Sequence, residues 1–319
     1  MRILVTGATG FVGRFLCPVL TARGHQVTAA VRHVPEIAIE GAEKTIVVGD
    51  IGPDTDWSEA LSGQAAIIHL AGRSHVMNDR QSTSEALYHK VNVVGTSILA
   101  EAAVKEGIRK FIFLSSVKAM AERSKGEALT ETTPPRPEDA YGRTKLEAEQ
   151  ALLKVASSSA MTVVNLRTPL VYGPGVKANL LRLITACDQR LPLFLESVSN
   201  KRSLVFLGNL TDALACVVEA EGLSTETFLV SDGEAVSTPE LIRRISKALG
   251  RAPRLLPVPV WALTLAGTLT GKSQALDRLT GSLVIDDRKL RDVVGWTPPF
   301  NMLQGLNQTA EWFFGQESD

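Results

Sequence analysis

Several short segments of this chain are almost uninterrupted runs of apolar residues, and longer segments of helical spacing lie between them. Residues 2–6 (RILVT), 26–31 (QVTAAV), 45–48 (TIVV), 66–71 (AIIHLA), 110–115 (KFIFLS) and 161–166 (MTVVNL) are rich in branched side chains and too short for buried helices, so they predict strands. Residues 11–23, 84–106 and 141–157 place apolar side chains three and four positions apart, as amphipathic helices do. Gly24 and Gly107 stand where the first two should stop, and Pro18 predicts a kink inside the first. Apolar strands that alternate with helices predict an α/β fold, a doubly wound parallel sheet of Rossmann type covered on both faces.

After Gly173-Pro174-Gly175 the rhythm changes to short helices, proline-rich loops and brief strands. This predicts a first domain over residues 1–175, with a return segment near 204–221. Residues 176–319 then form mainly a smaller, mixed α/β C-terminal substrate domain. The apolar stretch 255–271 is broken by Pro257, Pro259 and Gly267 and is too short to span a bilayer. Three readings stand for it: a core helix, an oligomer contact, or a peripheral membrane contact without stable insertion. The charged, proline-rich loop 122–140 reads either as a lid over a substrate or as a solvated connection.

Composition narrows the class. Of 319 residues, 45% are hydrophobic and 21% charged, as in ordinary globular chains. Lys plus Arg and Asp plus Glu both total 34, so nothing favours bulk attraction to nucleic acid, and no nucleic-acid partner is expected. Cys17, Cys187 and Cys216 lie far apart with no metal-ligand spacing, which argues for free thiols in a reducing compartment and no metal. The N-terminus reads as a strand followed by glycine rather than a signal peptide, so a cytoplasmic location is expected.

The chemistry begins at Thr6-Gly7-Ala8-Thr9-Gly10-Phe11-Val12-Gly13, which joins the first strand to the first helix. Gly7 permits a tight turn, Gly10 lets the backbone approach a pyrophosphate, and Gly13 lets helix and strand pack closely. Thr9, Phe11 and Val12 present backbone N–H groups where a helix N-terminus favours an anion. NAD-binding folds of this kind carry an acid about 20 residues further on, at the end of the second strand. This chain has Arg32 there, with His33 next, and a guanidinium suits a 2′-phosphate. NADP(H) is therefore favoured, with NAD(H) tolerated if Arg32 only caps a strand end. Asp50 and Ile51 after the third strand are candidates for adenine contact, and Asp50 could equally cap a helix. Leu70, Ala71 and Gly72 after the fourth can pass beneath the cofactor. Arg73 and His75 follow, as candidate sugar contacts or as a polar loop.

Tyr141 and Lys145 are four apart, on one helical face, where an ammonium can stabilise a phenolate. Ser115 and Ser116 end the fifth strand, at the edge where ligands of open α/β sheets bind. Ser116 is the preferred partner of Tyr141 on the substrate oxygen.

These motifs carry a resemblance. TGATGFVG at 6–13, HLAG at 69–72, VNVVGT around Asn92, LSS at 114–116, YGRTK at 141–145, LRTPLVYGPG at 166–175 and VGWTPPF at 294–300 occur in one order along nearly the whole chain. In this the sequence resembles the extended short-chain dehydrogenases/reductases, in the NAD-dependent epimerase/dehydratase group that acts on nucleotide sugars. The resemblance implies Ser116, Tyr141 and Lys145 as catalytic, Asn92 as a helix asparagine of the cofactor site, and Arg167 near the cofactor. It implies Asn179, Arg202 and Arg278 at a nucleotide diphosphate, a UDP-sugar as substrate, and a homodimer built on the helices near 84–106 and 141–157. Dehydratases of the group follow their catalytic Thr with Asp-Glu, whereas Val117-Lys118 follow Ser116 here, so dehydration is not expected. The segments GRSHVMND, SSVKAMAE, NKRSLVFLGNLTDA and SDGEAVSTPEL resemble bacterial polysaccharide enzymes that reduce UDP-4-keto-6-deoxy-N-acetylglucosamine. A UDP-glucose or UDP-N-acetylglucosamine 4-epimerase with bound NAD is the alternative. A non-catalytic dinucleotide sensor is the rival of another class.

Overall fold

Strand β1 (Arg2–Thr6) shows how the sequence builds the centre of the molecule. Ile3, Leu4 and Val5 are all fully buried. Because side chains alternate along a strand, Ile3 and Val5 enter one core and Leu4 enters another on the opposite face. The next strands divide in the same way. The computed structural model describes residues 1–73, 81–269 and 273–316.

The other strands are β2 (Gln26–Val31), β3 (Lys44–Val47), β4 (Ala66–His69), β5 (Lys110–Ser116), β6 (Thr162–Thr168), β7 (Leu170–Tyr172), β8 (Arg202–Phe206), β9 (Glu226–Leu229) and β10 (Ala235–Val236). Seven form a parallel sheet in the order β3-β2-β1-β4-β5-β6-β9. The order reverses between β1 and β4, which opens a crevice at the C-terminal strand ends. The three others form a second sheet, β10-β8-β7.

Helices Gly13–Ala22 and Leu207–Glu219 cover one face of the main sheet. Helices Gly95–Lys105 and Ala140–Ser157 cover the other. Helices Ala178–Asp188, Thr238–Ala248 and Met302–Gln316 enclose a third core against the second sheet, around Tyr172, Phe206, Ile242 and Met302.

The structure departs from the sequence expectations in instructive places. The first helix begins at Gly13 rather than residue 11, because Phe11 and Val12 belong to the phosphate-type turn, and it continues through Pro18. Gly41 packs there so closely that a Cβ would meet the Pro18 nitrogen at 2.5 Å, so the loop and the proline shape each other. The return near 204–221 is shared between layers: β8 belongs to the second sheet, and helix Leu207–Glu219 crosses to the first. Strand β9, unforeseen from its four residues, closes the main sheet. The stretch 255–271 holds a surface helix, Val260–Leu269, with Trp261 72% and Leu265 53% exposed, so it is not a core helix. Among the described residues no helix is long and apolar enough to cross a membrane.

Loop 122–140 is neither free nor simply solvated. Ser124 and Leu129 donate to the carbonyls of Ser282 and Val284, Asp286 donates back to Leu129, and Leu129 joins a small core with Val117, Met120, Leu229 and Ile285.

Candidate active site

The glycine turn is packed to its limit. Gly7 has φ +70°, and a Cβ there would lie 2.7 Å from the Ala71 nitrogen. A Cβ on Gly13 would lie 2.3 Å from the Gly7 carbonyl oxygen. Gly10 N–H donates to that same oxygen at 2.9 Å, and Thr9 and Gly10 face outward, exposed. A bare-backbone turn at a helix N-terminus, at the reversal of strand order, fits a dinucleotide pyrophosphate. Arg32 and Asp50, after the ends of β2 and β3, are exposed and ion-paired to each other. Ile51 lies behind them against helix Gly95–Lys105, where a Cβ on Gly95 would meet its side chain at 2.3 Å.

Beyond Leu70 and Ala71 the chain passes over the far side of the crevice. A Cβ on Gly72 would stand 3.2 Å from Asn92 Oδ1 and 3.4 Å from Lys145 Nζ. Asn92 sits in a π-helical turn, His89–Val94, and is buried. Its Oδ1 accepts from Arg73 N–H at 2.7 Å, and its Nδ2 donates to the Arg73 carbonyl and to Thr144 Oγ1. Asn92 thus ties the segment after β4 to the helix that carries Tyr141. His75 lies outside the described residues.

Ser116, Tyr141 and Lys145 converge beside this passage. Helix Ala140–Ser157 starts where the Asp139 carboxylate accepts from Gly142 N–H at 2.7 Å. Ser116, at the end of β5, stands near enough to Tyr141 to favour its phenolate. Lys145 is buried, donates to the Leu114 carbonyl at 2.8 Å, and stands 4.3 Å from the Phe113 ring centre and 6.0 Å from that of Tyr141. Burial pushes its ammonium down to about 8, opposed by the Glu149 carboxylate one turn on. Glu149 is itself buried and held by Arg167 at 2.6 Å and by Ser115. Arg167 therefore acts on the site through Glu149, and Ser115 supports that carboxylate from below.

Tyr141 differs from the simple expectation that lysine lowers its pKa. Burial and the Asp139 charge push the phenol up to about 12, with Tyr88 adding to them and Ser116 opposing them. At 6.0 Å the ammonium does not outweigh these effects. The sequence also concealed His69, fully buried at the end of β4 between Thr6 Oγ1 at 2.6 Å and Thr96 Oγ1 at 3.0 Å. Burial, and to a lesser degree Lys145, lower it to about 3, so it stays neutral beneath the site.

The residues expected at a nucleotide diphosphate are spread over the second layer. Asn179 is exposed on helix Ala178–Asp188. Arg202 opens β8 and donates to the Gly281 carbonyl at 3.0 Å. Arg278 falls in helix Ser273–Thr280, and its side chain lies outside the described residues.

A seven-stranded doubly wound sheet with a glycine cradle at its switch point defines a nicotinamide-dinucleotide enzyme of the extended short-chain dehydrogenase type. Residues 3–231 match the NAD dependent epimerase/dehydratase family, and the chain belongs to it. It is 41% identical over 315 residues to the UDP-glucose 4-epimerase of Vibrio cholerae, covering 98% of this chain and 95% of that protein. It is 31% identical to the 2-alkyl-3-oxoalkanoate reductase of Stenotrophomonas maltophilia (strain K279a), covering 80% and 77%. The solved structure of MoeE5 in complex with UDP-glucuronic acid and NAD superposes with a TM-score of 0.80 at 25% identity, over 99% of this chain and all of that one.

Proposed function

We propose that this chain carries out redox chemistry at C4 of a UDP-linked sugar. The observation that carries the reading is the convergence of Ser116, Tyr141 and Lys145 on the Gly72 passage, opposite the glycine cradle. A nicotinamide dinucleotide held by the Gly7–Gly13 turn would provide the hydride chemistry at the sugar carbon. Tyr141 gives or takes the proton of the C4 oxygen, and Ser116 hydrogen-bonds that oxygen and aligns it. Lys145 favours the phenolate as it forms. The turn Gly7–Gly13 holds the pyrophosphate, with Asp50, Ile51, Leu70, Ala71 and Asn92 along the dinucleotide. Asn179, Arg202, Arg278 and His75 are assigned to the nucleotide diphosphate and sugar. The UDP-sugar bound to MoeE5 and the name of the Vibrio relative support this substrate class.

Of the possible directions, we favour reduction of UDP-4-keto-6-deoxy-N-acetylglucosamine with NADPH. Arg32 supports it, because an exposed ion pair contributes little stability and its guanidinium is readily transferred to a 2′-phosphate. The absence of an acid pair after Ser116 sets dehydration aside. A 4-epimerase that retains NAD is the second reading, favoured by the 41% identity to the Vibrio protein. A homodimer through the helices near 84–106 and 141–157 accompanies either.

Incubation with the 4-keto sugar nucleotide and NADPH separates the readings. The reductase consumes one NADPH per alcohol formed, whereas an epimerase interconverts UDP-hexoses without net loss of cofactor. Tyr141→Phe should lower turnover by about 10²- to 10⁴-fold and leave cofactor affinity within a few-fold. Retained turnover in that variant would remove Tyr141 from the chemistry.

A further inference from the structure

One charged side chain beside the site has no part in this chemistry. Lys118 lies on the single turn Val117–Ala119 that follows Ser116. Its backbone N–H donates to Ser116 Oγ at 3.2 Å. Its carbonyl packs on Gly142, where a Cβ would come within 2.3 Å of it. Its ammonium is paired with the Asp139 carboxylate and, at 3.1 Å, with Glu122. The other Asp139 oxygen caps Gly142 and so starts the helix of Tyr141. Lys118 therefore closes a ring of contacts running from Ser116 through Asp139 and Gly142 to Tyr141, and it touches the site from both sides.

We propose that Lys118 is a positioning residue whose charge neutralises Asp139 beside Tyr141 and thereby sets the pH at which Tyr141 releases its proton. The inference rests on the acid–base role given to Tyr141 above. The groups around the phenol come from four sides. Asp139 and Lys145 flank it on its own helix, and Ser116 approaches from β5. Tyr88 packs edge-on at 6.4 Å with the Arg73 guanidinium over its ring, and Lys118 and Glu122 stand behind Asp139. Asp139 disfavours the phenolate, and Lys118 is the cation in contact with that carboxylate. Without the lysine charge two carboxylates face each other, and the phenol holds its proton to higher pH.

The test follows the alcohol-oxidising direction, in which Tyr141 acts as base and the single-turnover rate rises with pH. Lys118→Met should displace that rise upward by about one unit, equivalent to about a tenfold slower reaction at neutral pH. Lys118→Arg should restore the wild-type profile. The double variant Lys118→Met/Asp139→Asn keeps a capping side chain and removes both charges, so its profile should return to within a few tenths of a unit. An unmoved rise in Lys118→Met, or a double variant that stays displaced, overturns the inference. If Lys118→Met does not fold, Asp139→Asn alone should shift the rise downward, and an unmoved rise there overturns it equally. Urea unfolding gives a readout free of turnover: the coupling between Lys118→Met and Asp139→Asn should be present at pH 7 and low salt and should weaken as salt is added. Absence of coupling at pH 7 and low salt counts against a charge pair. Tyr141→Phe in the same series keeps the two claims apart. An active Tyr141→Phe sinks the acid–base role, whereas an inactive one with an unmoved rise in Lys118→Met sinks only the role of Lys118.

Discussion

At the scale of single residues, the site is a layer of buried polar groups whose charge states are set by burial. His69 illustrates the cost. Its folded pKa of about 3 lies below the ordinary 6.5. The unfolded chain therefore binds the additional proton across that interval. Stability from this residue is complete above about pH 6.5 and declines as pH falls toward 3. His69→Gln can keep a hydrogen bond to a threonine without titrating, so its urea midpoint should fall less steeply over that window. Parallel curves for the two proteins would show that His69 is not the acid-sensitive group. The local patterns were legible: the glycine triplet and the i, i+4 spacing of Tyr141 and Lys145 each lie within a few consecutive residues. The Lys118–Asp139 and His69–Thr96 contacts were not, because they join residues 21 and 27 apart that meet only when helices pack at the strand ends.

At the scale of elements, the C-terminal ends of β2 and β3 present Arg32 and Asp50 as an exposed pair, with side chains 65% and 71% accessible. A pair so exposed is screened and weak, so a bound phosphate competes for the guanidinium with little opposition. On the NADPH reading, Arg32→Asp should weaken NADPH binding about tenfold or more, the loss expected for one charge-assisted contact, and leave NADH within a few-fold. Equal effects on both cofactors in a binding titration would rule out a 2′-phosphate contact. Elements buried on both faces were readable because each is a continuous apolar run. Strand β9 (ETFL) was not, since four residues with a polar start carry no period. The fastening of loop 122–140 was equally hidden, because backbone hydrogen bonds to 282–286 leave no signature in side-chain type.

At the scale of the whole molecule, the chain passes between layers repeatedly. It leaves the main sheet after β6, builds β7 and β8 in the second, returns through helix Leu207–Glu219 and β9, and leaves again at β10. A fragment ending at residue 175 would lack Leu210, Leu214, Val217 and Phe228, all fully buried against the main sheet. We expect such a fragment not to fold, and the full chain to unfold in one transition by circular dichroism and by tryptophan fluorescence. A stable fragment 1–175 that binds dinucleotide would refute this.

The late arrival of β9 has a consequence for the chain as it is made. Until Leu229 has left the ribosome, β6 is the rim of an incomplete parallel sheet, paired with β5 on one side and without its β9 partner on the other. An open rim of that kind is a template for strands of neighbouring nascent chains. The interval between the synthesis of β6 and that of β9 is therefore one in which that edge is open to such pairing.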